Sequence, residues 1–391
     1  MTAIPPRNRP VYLDNQATTP CDPRVVEAML PWFTEKFGNP HSAEHRLGQE
    51  AEAAVEAARE AVAALIGAEA REIVLTSGAT ESNNLAIKGA ARFAAAHGNP
   101  RRRIVTVATE HKCVLESVAD LAAEGFEAVV LPVRPDGLLD PASLEAAVDD
   151  GTLLVSVMAV NNEIGVRQDL AAIGRIAKAA GALFHTDAAQ GAGKVPLDVH
   201  ALGIDLLSIS GHKLYGPKGI GALSVRRRPR ARLAPLFSGG GQERGLRSGT
   251  LPAPLVVGFG EACRIAAAEM EAEAARLAAL RDRLWAGLTA AIPGLVLNGS
   301  AESRIPGNLN VTFPVRTAEA LMRGCPDLCV STGSACSSAA IEPSYILSAL
   351  GLSTDAAART LRLGLGRFTS EADVDYAVAA LAAAHLGAEA A

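Results

Sequence analysis

The chain is poor in aromatic residues, at 4% of its 391 positions, and it has only six cysteines. Six thiols scattered over that length make no disulfide framework, which excludes the small stapled secreted scaffolds. A reduced, cytoplasmic protein is expected, with thiols available for chemistry. No run approaches the roughly 18 apolar residues that a membrane-crossing helix needs. The opening MTAIPPRNRP contains no apolar core, so it does not read as a signal peptide. Neither sign of charge dominates. With 37 basic and 42 acidic side chains the net charge is -5, so neither direct nucleic-acid binding nor an anionic membrane is expected. Two arginine clusters, at 101–103 and 226–232, read as solvated loop ends.

What is present is ordinary for a soluble enzyme: 49% hydrophobic and 20% charged residues. A chain this long is expected to form two domains. Its elements mostly alternate. A short strand at 11–14 leads into a turn, and Pro23 starts a helix. Then come helix 44–66, strand 72–76, helix 80–97, strand 103–108, helix 112–124 and strand 127–131. Helix 141–149, strand 152–158, helix 169–180 and strand 182–186 follow, with strands 205–210 and 220–225 closing the series. Glycines 67, 98, 125 and 181 stand where helices stop. The pattern predicts an α/β fold with a mostly parallel seven-stranded sheet sandwiched by helices. After Pro254 the texture changes to an alanine-rich helical stretch, 255–291, and a smaller α/β pattern with strands near 295, 309, 329 and 361. The predicted domains are a large one over 19–262 and a small one over 263–391, joined by segment 1–18.

Ligands of open α/β sheets sit beyond the carboxyl ends of the strands, and four such ends carry polar clusters. The first, TSGATESNN after strand 72–76, opens a helix. Its free N–H groups and the Thr80 hydroxyl make either a phosphate cradle or a simple cap. The second, TEHKC, presents His111, which can stack on a ring and move a proton or serve the loop alone. The third, VNNEIG, presents Asn162, with both a donor and an acceptor. The fourth, FHTDAAQG, places Asp187 at the end of a buried strand, where a carboxylate needs a cationic partner: a salt bridge or a pyridinium nitrogen.

A fifth stretch, LLSISGHKLYGPKGIG over 206–221, holds Lys213 between an apolar strand and a glycine-rich turn. Alone, Lys213 reads as a turn lysine. Beside the other clusters it reads as an amine that is partly desolvated and able to attack a carbonyl. Pro217 stands where a P-loop would need its lysine, which excludes that motif. Phosphate donors, a stacking imidazole, a carboxylate for a ring nitrogen and an amine for an aldehyde together fit pyridoxal 5'-phosphate.

The motifs LDNQATTP (13–20), FGNP (37–40), TSGATES (76–82), TEHK (109–112), VNNEIG (160–165), SGHKLYGPKG (210–219), GGGQERGLRSGT (239–250) and STGSAC (331–336) run in this order along nearly the whole chain. In that order they resemble the cysteine desulfurases of the NifS and IscS type, class V aminotransferases with the type I pyridoxal phosphate fold. The resemblance implies that Lys213 is the Schiff-base lysine, Asp187 the partner of the pyridine nitrogen, Gln190 the donor to the ring hydroxyl and His111 the stacked residue. It places Ala79, Thr80, Ser210 and His212 around the phosphate, with Thr250 reaching the phosphate of the neighbouring subunit of a homodimer. Asn162, which also borders the cofactor, and Arg362 would hold the carboxylate of L-cysteine, a task that suits the arginine fork.

Cys336 separates this activity from others on the same fold. Serine and glycine neighbours make a loop able to expose a thiolate rather than an apolar pocket. The resemblance makes Lys213, His111 and Cys336 the catalytic residues and implies that Cys336 takes sulfur from L-cysteine as a persulfide, releasing L-alanine. Sulfur then passes to an acceptor, with an iron–sulfur scaffold protein expected, and Cys336 could contact a cluster during transfer. A metal site built from Cys325, Cys329 and Cys336 matches no standard zinc spacing, and those first two cysteines read as core or as a sulfur relay. Selenocysteine lyase, or another class V enzyme, is the nearest rival activity. A non-catalytic assembly subunit would have no need of Lys213, Asp187, His111 and Cys336 together. The sequence ends soon after a helical stretch, which leaves the mode of scaffold docking open.

Overall fold

The computed structural model describes residues 9–332 and 344–387. In chain order its strands are β1 (Val11–Tyr12), β2 (Ile73–Thr76), β3 (Arg103–Val107), β4 (Glu127–Leu131), β5 (Thr152–Ser156) and β6 (Leu183–Asp187). They continue as β7 (Leu206–Ser210), β8 (Gly221–Val225), β9 (Val296–Leu297), β10 (Asn308–Thr312), β11 (Leu328–Cys329) and β12 (Thr360–Gly364). Seven form one sheet in the order β2-β8-β7-β6-β5-β3-β4. Every residue of β2, β5, β7 and β8 is buried, as expected for a sheet covered on both faces. Each fully buried leucine, isoleucine or valine there is worth about 1.5–3 kcal/mol of apolar burial.

The sheet is mixed. From β4 to β7 neighbours are parallel, whereas β8 runs antiparallel to both β7 and β2. The chain between Ser210 and Gly221, which pair with each other, is too short for the crossover that a parallel return would need. The reversal brings the start of β8 to the same sheet edge as the ends of β2, β6 and β7. Gly221 permits this, since a Cβ there would lie 2.4 Å from the Ile209 carbonyl and 2.6 Å from the Gly78 Cα.

The helix Ala253–Ala291 begins near the predicted point and runs through the predicted break at 262–263 without interruption. Its first half, from Val256 to Ala266, packs into the apolar cluster under the seven-stranded sheet. From Leu277 to Leu288 it packs with Leu309, Val311, Leu361, Leu363 and the helix Glu371–Leu386. Val11 and Leu13 join that second cluster, through the parallel pairing of β1 with β11. A second sheet, β12-β10-β9, lies there. Helix 112–124 is shorter than expected: it is α-helical over Lys112–Asp120 and tightens into a 3-10 turn over Leu121–Glu124. Among the described residues no helix is long and apolar enough to cross a membrane.

Candidate active site

The carboxyl edge of the sheet opens on a cavity of about 480 Å³. Ala79, Thr80, His111, Asn162, Asp187, Gln190, Ser210, His212, Lys213 and Arg362 all line it, though they come from segments nearly 300 residues apart. Thr250 is exposed and does not line this cavity in the single chain. Cys336 lies outside the described residues.

At one end β2 hands over to the helix Ala79–Ala96 through Gly78, whose φ of 149° is open only to glycine without strain. The first-turn N–H groups of such a helix have no acceptor within it and point at whatever sits before it. The Glu81 side chain accepts from the Ser77 N–H at 2.7 Å and pairs with Arg247 at 2.8 Å. That pair ties the GGGQERGLRSGT segment to the cradle. Deeper in the same segment Glu243 accepts from both Arg59 Nη atoms, at 2.7 and 2.8 Å, and from the Leu75 N–H at 2.6 Å. Thr80 is exposed and Ser210 is buried, and both line the cavity. His212 Nδ1 lies 2.9 Å from the Thr18 hydroxyl. Burial, then the charges of Lys213, Lys218 and Lys194, pull His212 down to about 4, so near neutral pH its ring is uncharged.

In the middle, a 3-10 turn over Gly211–Lys213 follows β7. It turns Lys213 Nζ onto the carbonyl oxygens of Gln16 and Ala17, at 2.6 and 2.7 Å. Asp187, the last residue of β6, accepts from the Ala189 N–H at 2.8 Å and from Asn83 Nδ2 at 2.7 Å. Asn83 is a site residue that sequence reasoning missed. It lies in the quoted TESNN stretch, but only the packing of its helix across the sheet puts it under β6. The same Nδ2 lies 3.2 Å from Cys113 Sγ. His111 caps the helix Lys112–Asp120, its Nδ1 accepting from the Cys113 N–H at 3.2 Å. The same Nδ1 lies 3.0 Å from Cys113 Sγ. Glu110 is fully buried beside this pair and accepts from the Met158 N–H. Burial and the Asp187 charge push it well above the usual carboxylate range.

The other end belongs to Arg362. It is buried, yet its guanidinium reaches Asp14 at 2.7 Å and the Asn162 carbonyl at 3.0 Å. The LDNQ turn can dock here because β12 carries Gly364, where a Cβ would lie 1.8 Å from Gln16 Oε1. The Arg362 backbone also pairs with Ser331. Next to it Glu163, pushed up by burial, accepts from the Ser344 hydroxyl at 2.5 Å. Of the two unassigned cysteines, Cys325 is core: it is fully buried and its thiol donates to the Leu321 carbonyl at 2.9 Å. Burial pushes Cys325 up to about 11, which keeps it a thiol. Cys329 is partly buried at the end of β11.

Among the described residues, buried polar atoms on three lining residues, Gln16 Oε1, Asn162 Oδ1 and Arg362 Nε, have no hydrogen-bond partner. Buried polar groups are rarely left so. The cavity volume lies within the range of small-molecule sites. A helix N-terminus with hydroxyls, a buried carboxylate, a lysine and an arginine match a phosphorylated pyridine aldehyde and an amino acid in charge and size.

Comparison with known proteins agrees with this chemistry. The family profile described as Aminotransferase class-V matches residues 11–377. The cysteine desulfurase IscS of Rickettsia bellii is 56% identical over 369 residues, which is 94% of this chain and 89% of that protein. The human cysteine desulfurase is 54% identical over 375 residues, 96% of this chain and 81% of that protein. A solved NifS-like protein superposes with a TM-score of 0.88 at 37% identity, covering 95% of this chain and 98% of its own. The structure described as SspA in complex with cysteine superposes with a TM-score of 0.81 at 38% identity, covering 92% of this chain and 99% of its own.

Proposed function

The chain belongs to the class V aminotransferase family, and from that premise we propose that it is a cysteine desulfurase, converting L-cysteine to L-alanine and handing on the sulfur. The observation that carries the reading is the convergence of Lys213, Asp187, His111 and Arg362 on one cavity at the carboxyl edge of the sheet. Pyridoxal 5'-phosphate would be held by the helix N-terminus at Ala79 and Thr80, by Ser210 and His212, by Gln190, by His111, and by Asp187 as the partner of the ring nitrogen. When bound, it supplies an aldehyde for the substrate amine and an electron sink for the bond at Cα.

The chain's own residues then divide the work. Arg362, with Asn162, orients the substrate carboxylate and so aligns the Cα proton with Lys213. Lys213 Nζ takes that proton and returns it, a short transfer that needs the amine uncharged. His111 exchanges the substrate thiol proton through Nε2, since Nδ1 is tied to Cys113. The thiolate of Cys336 attacks the substrate sulfur. The S–S bond forms as the Cβ–S bond breaks, the electron pair of the broken bond stays on Cβ, and Cβ takes up a proton to become the methyl group of alanine. The persulfide sulfur passes to an acceptor such as an iron–sulfur scaffold protein. The protein works in the cytoplasm as a homodimer of two-domain subunits, with Thr250 serving the phosphate site across the interface.

The test is optical and chemical. The protein loaded with pyridoxal phosphate is expected to be yellow, to change spectrum with L-cysteine and to yield alanine and sulfide. A colourless protein overturns the reading. The C336A variant should still change colour with L-cysteine but release no sulfide under reductant, and normal turnover would remove Cys336 as the acceptor.

A further inference from the structure

Behind the cavity lies a second lysine that this chemistry does not use. Lys194 Nζ donates to Gln190 Oε1 at 3.1 Å, and Gln190 Nε2 donates to the Gln16 carbonyl at 2.7 Å. The same Gln16 oxygen accepts from Lys213 Nζ at 2.6 Å. Two lysines are thus joined through one buried carboxamide and one carbonyl. A glutamine carboxamide is nearly symmetric in shape but opposite in polarity at its two ends. Turned over, Gln190 would present an acceptor where the ring hydroxyl needs a donor.

We propose that Lys194 is a positioning residue of the site, holding Oε1 of Gln190 on its own ammonium so that Nε2 is the end offered to the cofactor. This rests on the pyridoxal phosphate reading of the cavity. A cation on Oε1 also polarises the carboxamide and strengthens Nε2 as a donor. The groups that act on Lys194 come from three other segments: Lys213 after β7, Glu273 on the helix Ala253–Ala291, and Arg362 on β12. Burial, followed by the Lys213 charge, pulls Lys194 down to about 7 against the opposing pull of Glu273. The ammonium that fixes Gln190 is therefore itself sensitive to pH near neutrality. Glu273 is engaged in turn by Arg367 at 2.8 Å.

The test compares K194M, Q190M and the double variant as holoenzymes, after matched thermal melts show that each is folded. The pH midpoint of the visible absorption band is expected to rise by about one unit in each single variant, the size of one lost charge-assisted contact. The double variant should rise no further, because one lysine acts through one glutamine. K194R, which keeps the donor charge, should restore the midpoint. An unchanged midpoint in K194M, or additive shifts in the double variant, overturns the proposal. A second readout needs no cofactor. In apoprotein carrying 13C-methylated lysines, the resonance missing from K194R should move its titration midpoint when Gln190 becomes Met, and an unmoved midpoint overturns the contact. If no coloured holoenzyme forms at all, the cofactor reading fails while this apoprotein measurement still judges the Lys194–Gln190 contact.

Discussion

Under the proposed function, the two ends of the cavity would hold anions by different means. At the proposed phosphate end the attraction would come from backbone N–H groups, two hydroxyls and an uncharged histidine, spread over a helix start that Gly78 shapes, with Lys218 beside them. At the proposed carboxylate end it would come from one formal charge, Arg362, which Asp14 already balances at 2.7 Å. A cradle of many partial charges suits a group that stays bound from one turnover to the next. A single charge with a built-in counterion suits a carboxylate that must leave as product. The difference predicts that binding strength at the two ends is set separately, by donor count at one and by charge balance at the other.

The sharpest way to break this contrast is to remove one charge of the pair. R362A should raise KM for L-cysteine by on the order of 100-fold, and it should cost about 3 kcal/mol of stability by stranding Asp14. D14N should act oppositely on binding: with its counterion gone, Arg362 should hold L-cysteine and L-alanine several-fold more tightly. Steady-state kinetics with alanine as product inhibitor reads both. If D14N weakens substrate binding, Asp14 is a positioning group and not a counterweight.

Acid and base should separate the ends by sign. His212, held at about 4, stays neutral while the unfolded histidine binds a proton near 6.5. His185 is more extreme: fully buried between the Ser156 and Ser208 hydroxyls, at 2.8 and 3.1 Å, it is driven by burial down to about 3. Both make stability fall as pH drops below about 6.5, by up to roughly 5 kcal/mol for His185 if fully expressed at about 1.4 kcal/mol per unit. Glu163 at the carboxylate end is raised, so its contribution is present in acid and is lost as pH rises through its folded value. Urea midpoints across pH 4–8 should therefore show a histidine-dependent loss on the acid side. H185N is expected to flatten it, and an unchanged slope would assign the loss to other groups.

The smallest effect lies in the cradle. T80A removes one of many donors and should weaken the cofactor phosphate by about 1 kcal/mol, near fivefold. Equilibrium binding of pyridoxal phosphate against pyridoxal reads it, and the loss should appear only for the phosphorylated ligand.

Much of this was legible without coordinates. The strand ends at Thr76, Val107, Ser156, Asp187 and Ser210 lie within two residues of the predicted ones, because alternation and glycine stops are local signals. The turn at Lys213 was legible for the same reason. The reversal of β8 was not read, although the short span from Ser210 to Gly221 carries it. Arg362 was assigned to the substrate carboxylate, but its pairing with Asp14 was invisible, since nothing near either residue names the other. Asn83 under Asp187 and Lys194 behind Gln190 escaped likewise.

By itself, then, the chain's order of residues determined which elements form and which chemical groups stand at their ends, because helix period, strand alternation and turn glycines act over a few residues. Only the tertiary structure decided which groups share a hydrogen bond: Asp14 with Arg362 across 348 positions, Asn83 with Asp187 across 104. Those pairings depend on the order of strands in the sheet and on the docking of the N-terminal turn against β12, and no local stretch encodes either.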